Sequence, residues 1–233
     1  MKERPIMFKA EMVRVILDGR KTQTRRPIKR GQVFRFCREG EGPCDLSAAE
    51  RREINAEPFR WEPENPAHPS PSELLTLCPF GAPGDRLWVR ETWRPSWHEE
   101  EYACIEYRAD GKKLKPTIYD EGVGFHFFGE CDESKPSDPW RSAMFMPRWA
   151  SRITLEIVSV RVERVQSITE EDAIAEGVDA VSMADVPRQA TMSRRGDFAQ
   201  LWDHLYAKTA HAWALNPWVW VVEFRRVNEA RED

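Results

Sequence analysis

Met12, Val13, Ile16 and Leu17 follow the i, i+3, i+4 spacing of one helix face, and Gly19 is positioned to stop that helix. Past the glycine the period shortens to two. Thr22, Thr24 and Arg26 share one side of an expected strand and Gln23 and Arg25 the other, with Lys21 at the corner. Periodicity then fades over 30–77, where Glu39 to Gly42 alternates acid with glycine and Pro63, Pro66, Pro69 and Pro71 crowd together. This stretch reads as an insertion, with at most a short helix over Ser47 to Ile54. Order returns after the turn cluster Cys78 to Asp85. Arg86 to Trp93 predicts a strand with Leu87 and Val89 on one face and Trp88 and Arg90 on the other.

Tyr102 to Tyr107 alternates as a further strand, and Asp110-Gly111 is a hairpin signal. Residues 111–140 read as a second insertion. The clearest strand follows Met146 to Arg152: Ile153, Leu155 and Ile157 alternate, then Val158, Val160 and Val162 carry the apolar pattern onward in the other phase. Such a slip predicts a β-bulge or bend, a device by which strands of small barrels turn corners. Ser167-Ile168-Thr169-Glu170 fits a capping box, and Gly177 a helix stop. Glu176, just before that stop, opposes the helix dipole and calls for a basic partner from elsewhere. After a loop over 179–194, Phe198, Leu201, Trp202 and Leu205 mark a last amphipathic helix. Trp218 to Phe224 is apolar on both faces and predicts a central strand.

The chain has 233 residues and is read as one domain carrying the two insertions, an α+β fold built on a small barrel. A net charge of −4 argues against coating of duplex nucleic acid by bulk electrostatics. No run of about 18 apolar residues and no signal-peptide core follow Met1, so a cytoplasmic protein without a membrane span is expected. Cys37, Cys44, Cys78, Cys104 and Cys131 form no Cys-x-x-Cys pair, and they are expected as reduced thiols rather than as a metal site. The ten tryptophans suit a core, except that Trp93, Trp97 and Trp149 lie beside loop residues or arginines.

Chemistry concentrates in Gly19-Arg20-Lys21-Thr22-Gln23-Thr24-Arg25-Arg26, where a helix-to-strand corner can aim an ammonium, a hydroxyl and a guanidinium into one cleft. Such a run also occurs as a solvated turn. The octet resembles the Gly-x-Lys-x-x-Glu-x-Arg signature of ASCH domains, which are PUA-like, with Gly19, Lys21 and Arg26 in register and Thr24 in place of the glutamate. The small ASCH amidohydrolases acting on N4-acetylcytidine also carry threonine there. Gly84 to Glu91 is similar to a barrel strand of the larger phage and prophage ASCH proteins, and Ile168 to Glu176 to the segment bearing the enzymes' glutamate. The resemblance implies a PUA-like (ASCH) β-barrel and a catalytic set of Lys21, Thr24 and Glu176. It further implies substrate contacts from Arg25, Arg26, Arg90, Glu91, Trp93 and Arg148.

Two routes to amide hydrolysis stay open. Thr24 attacks with Lys21 as base, its pKa lowered by burial or neighbouring arginines, or Glu176 activates water while Lys21 and Arg26 hold the oxyanion. Neither requires a metal or an organic cofactor. The expected partner is a modified nucleoside or single-stranded nucleic acid. The competing readings are an RNA- or nucleotide-binding module without turnover, and a ribonuclease.

Overall fold

In a computed structural model the chain is described over residues 1–29, 75–98, 102–118, 125–130, 139–178 and 193–227. The fold mixes strands and helices in the order β1 (Glu3–Met7), α1 (Ala10–Leu17), β2 (Gln23–Pro27), β3 (Arg86–Arg90), β4 (Trp93–His98), β5 (Tyr102–Tyr107), β6 (Lys113–Ile118), β7 (Phe125–Glu130), β8 (Thr154–Arg164), α2 (Glu170–Ala175), α3 (Arg194–Tyr206) and β9 (Trp218–Val227). Two compact units divide the chain, one of Met1–Gly19, Arg86–Glu156 and Arg225–Asp233, the other of Arg20–Asp85 and Ile157–Phe224.

In the first unit β3 pairs in parallel with β1 and antiparallel with the start of β8, where Leu87 faces Leu155. Helix α1 buries Val13, Val15 and Ile16, and Gly19 ends it in the left-handed region at φ +74, its N–H donating to the Ile16 carbonyl at 3.0 Å. A side chain there would be strained, which is why glycine holds the position. A second, antiparallel sheet runs β4-β5-β6-β7, so the stretch 111–140 contributes two strands. Trp93, Ile105, Tyr107, Met146 and Ala150 form its buried cluster, and the Tyr107 hydroxyl donates to the Ala150 carbonyl at 2.8 Å.

In the second unit β9 lies between β8 and β2, and Val219 to Val222 are fully buried, as expected of a central strand. Val219 and Val221 pack with Ala173 of α2 and Phe198 and Trp202 of α3. Leu205, expected on the same face, is exposed.

Several expectations are corrected. Among the described residues the strands form open sheets rather than a closed barrel: the runs β1-β3-β8 and β8-β9-β2 each end on an edge strand, whereas closure requires the ends to pair. β8 runs unbroken for 11 residues and leaves Val158 52% exposed, so its apolar face does not switch there. The expected strand 86–93 breaks at Glu91 and Thr92. The capping box belongs to Thr169 and Asp172, two residues beyond the predicted one: the Asp172 N–H donates to Thr169 Oγ1 at 3.1 Å, and the Thr169 N–H to Asp172 Oδ2 at 3.4 Å. Cys104 is disulfide-bonded and Cys78 is a buried free thiol, so the cysteines are not uniformly reduced. Pairing in three dimensions leaves no mark in cysteine spacing. The helix expected over 47–54, most of the insertion at 30–77, Cys37, Cys44, Cys131 and most of the loop at 179–194 lie outside the described residues. Among the described residues no helix is long and apolar enough to cross a membrane.

Candidate functional site

The last carbonyls of any α-helix lack partners within it. At the end of α2, Gly177 turns the chain at φ +84, and the corner at Lys21 and Thr22 meets the exposed carbonyls. The Thr22 N–H donates to the Ala175 carbonyl at 2.9 Å. Lys21 Nζ donates to the Glu176 carbonyl at 2.7 Å and to Glu176 Oε2 at 2.8 Å. One ammonium therefore complements the negative end of the helix dipole and neutralises the acid placed against it. Both side chains are almost wholly excluded from solvent, at 2% and 5% exposure.

Arg25 extends this pair into a network. Its Nη1 approaches Glu176 Oε1 at 3.5 Å, and Nη2 donates to Asp172 Oδ2 at 2.8 Å and to Glu163 Oε2 at 3.2 Å. Arg161, on β8, donates to Asp172 Oδ1 at 3.0 Å and Gln23 Oε1 at 3.1 Å, and also to Glu163 and Glu223. Ser159 Oγ donates to Glu223 Oε2 at 2.7 Å. Ser159, Arg161 and Glu163 share one strand face by alternation, and Gln23 and Glu223 are direct register partners on β2 and β9. The buried Lys21–Glu176 pair thus continues through Arg25 to a partly solvated rim at Arg161 and Glu223.

Burial pulls the Lys21 pKa below its ordinary value, against the opposing pull of Glu176, and the positive charges of Arg26 and Arg25 lower it further. An ammonium so placed releases its proton more readily than a surface lysine. Burial pushes the Asp172 carboxyl up, but Arg25 more than offsets this and holds it below the ordinary carboxylate value. A depressed acid adds stability that is complete above its unfolded value of about 3.9 and is lost as pH falls through the folded value. Asp172→Asn is therefore expected to flatten the acid limb of a urea-stability profile below about pH 4. A limb as steep as that of wild type would remove Asp172 from the network's energetics.

Thr24 is buried, but alternation puts it with its register partner Val222 on the strand face opposite Gln23 and Arg25. Arg26 shares the Thr24 face and lies opposite Trp220. Lys21, Arg25 and Glu176 are thus brought into one cluster.

Arg90, Glu91, Trp93 and Arg148 belong to the other unit. Arg90 lies over the Trp88 ring at 4.6 Å and donates to the Met144 carbonyl at 3.3 Å. Trp93 is buried edge-on to Trp149, at 6.1 Å between ring centroids. Arg148 pairs with Glu3 at 2.9 Å near the surface. Glu91 is 1% exposed and accepts two bonds from Arg152, at 2.9 and 3.0 Å. Arg152 also donates to Asp110 at 2.8 Å and stacks 4.0 Å from the Tyr107 ring.

Sequence reasoning missed Gln23, Arg161, Glu163 and Asp172 as members of the first cluster and Arg152 as the partner of Glu91. Alternation of Ser159, Arg161 and Glu163 along a strand was the one local signal for them. No protein-family model, curated protein or solved structure matches the chain.

Proposed function

We propose that the chain is an ASCH-type, PUA-like domain whose Lys21–Glu176 centre hydrolyses the N4-acyl amide of a cytosine nucleoside. One contact carries the reading. The lysine and glutamate that the family resemblance pairs as catalytic are 155 residues apart in sequence and hydrogen-bonded at 2.8 Å in a buried corner. Burial, which lowers the Lys21 pKa, supports a working rather than a purely structural lysine. The strand alternation that sets Thr24 apart from Gln23 and Arg25 favours the water route over attack by Thr24. In that route Glu176 accepts a proton from water as its oxygen bonds to the acyl carbon. Lys21 stabilises the oxyanion, and collapse breaks the C–N4 bond as Glu176 passes that proton to N4, leaving the free nucleoside and a carboxylic acid that ionises to solvent.

The test is a chromatographic assay with N4-acetylcytidine and its deoxy form. Wild type is expected to release cytidine and acetate in equal amounts. Glu176→Gln should lose about 10²–10⁴-fold, the usual contribution of a positioned acid or base, while Thr24→Val stays within about tenfold, the scale of one hydrogen bond. Complete loss in Thr24→Val would instead identify a threonine nucleophile. A folded wild type that releases nothing would overturn the hydrolase. A nucleotide-binding module without turnover would then be the reading to test next, by the binding of nucleotides to the same folded protein.

A further inference from the structure

We propose that Arg25 is the positioning residue of the Lys21–Glu176 centre: Asp172 and Glu163 hold its guanidinium short of Glu176 Oε1 and so keep that oxygen open as the proton acceptor. The inference rests on the hydrolase reading and deepens it, by naming the oxygen that takes the proton and the residues that set its strength. A carboxylate acts as a base at a lone pair that no strong donor holds. Glu176 Oε2 is held by Lys21 at 2.8 Å. Among the described residues Oε1 meets only Arg25 Nη1, at 3.5 Å, well beyond the roughly 2.7–2.9 Å of a charge-assisted bond.

The long contact has a cause. Asp172 and Glu176 are four residues apart, with the Glu176 N–H donating to the Asp172 carbonyl at 2.8 Å, so both acids lie on one helix face. Like charges at that spacing repel unless a cation comes between them. Arg25 supplies the cation and is shared unequally. Its Nη2 donates to Asp172 at 2.8 Å and to Glu163 at 3.2 Å, while its Nε has no acceptor among the described residues. Phe198 of α3 backs the guanidinium at 6.0 Å from Cζ. The charged groups around Glu176 are thus Lys21 and Arg25 from the corner and β2, Asp172 from α2, and Glu163 with Arg161 from β8, beyond which lies Glu223 of β9. Removing the charge of Asp172 lets Arg25 close on Oε1, whereas removing Arg25 strips Oε1 of its cation. These changes act on Glu176 in opposite directions, which a loss of packing does not.

The test is the pH dependence of kcat/KM for N4-acetylcytidine hydrolysis by wild type, Asp172→Asn, Arg25→Gln and the double variant, since its acid limb reports the essential base of the free enzyme. In Asp172→Asn the limb is expected to move to lower pH by about one unit. The plateau kcat should fall roughly threefold to tenfold, with KM unchanged. In Arg25→Gln the limb should move to higher pH. In the Arg25→Gln background, Asp172→Asn should move it less than about half as far, because the route through Arg25 is gone. Asp172 is 19% exposed and asparagine keeps its shape, so that variant decides the matter if Arg25→Gln, at a fully buried position, does not fold. A limb that Asp172→Asn leaves in place or raises overturns the proposal, as does one that it moves equally with and without Arg25, while the hydrolase reading stands in each case. A folded wild type that releases no cytidine overturns both.

Discussion

Lys21→Ala is expected to destabilise the protein by about 3–5 kcal/mol, the scale for removing one partner of a buried ion pair. The loss has two sources. Glu176, at 5% side-chain exposure, is left with only the long 3.5 Å approach of Arg25 in place of the ammonium. The Glu176 carbonyl also loses its capping donor at 2.7 Å. The double variant Lys21→Met with Glu176→Gln should recover much of the stability, because it removes both charges while filling similar volume. Urea unfolding of the three proteins checks this. Single and double variants that are equally unstable would assign the effect to packing alone. A loss below about 1 kcal/mol, as for a surface pair, would mean the corner is open to water.

Arg152→Ala should have an effect of similar size, about 3–5 kcal/mol at neutral pH, and one that depends on pH. Without Arg152, Glu91 is a carboxylate at 1% exposure with no fork to hold its two oxygens. Burial already pushes the Glu91 pKa above its ordinary value despite the hydrogen bonds and charge of Arg152, which lower it. A raised acid makes the folded state bind more protons, so stability grows as pH falls through the folded value towards the unfolded one, about 4.3. The deficit of Arg152→Ala is therefore expected to shrink between pH 7 and pH 5. Arg152→Lys should not rescue it, since an ammonium cannot reproduce two parallel bonds to Glu91, a third to Asp110 and stacking on Tyr107 together. A deficit independent of pH would show that Glu91 is not the group left uncompensated.

What could be read before folding was local. Gly19 and Gly177 marked helix ends because a left-handed residue is needed at each stop, whatever surrounds it. β9 was legible as central because no polar position interrupts residues 218–222. The capping box was misplaced because Ser167 with Glu170 and Thr169 with Asp172 both satisfy the same spacing. Glu176 at a helix end signalled a missing cation, and the family resemblance, not periodicity, pointed to Lys21. Arg152 carried no signal: its partners Glu91 and Asp110 are 61 and 42 residues away, and neighbouring Arg148 reads identically in sequence. Val158 shows the converse, an apolar residue whose alternation suggested burial and which the strand exposes.

The register of β2 on β9 joins Gln23 to Glu223 and Thr24 to Val222. On the ribosome, β2 is made early and its only described sheet neighbour about 200 residues later. At roughly 5–20 residues per second that is a wait on the order of ten seconds or more. Lys21 and Arg25 wait for Glu163, Asp172 and Glu176 before they have their carboxylates, and until β9 follows, residues 23–27 remain an unpaired edge within reach of chaperones. A message cut short anywhere before Trp218 yields a chain in which this strand never finds its place, so truncated products of this protein should be cleared by proteolysis rather than persist as partial folds.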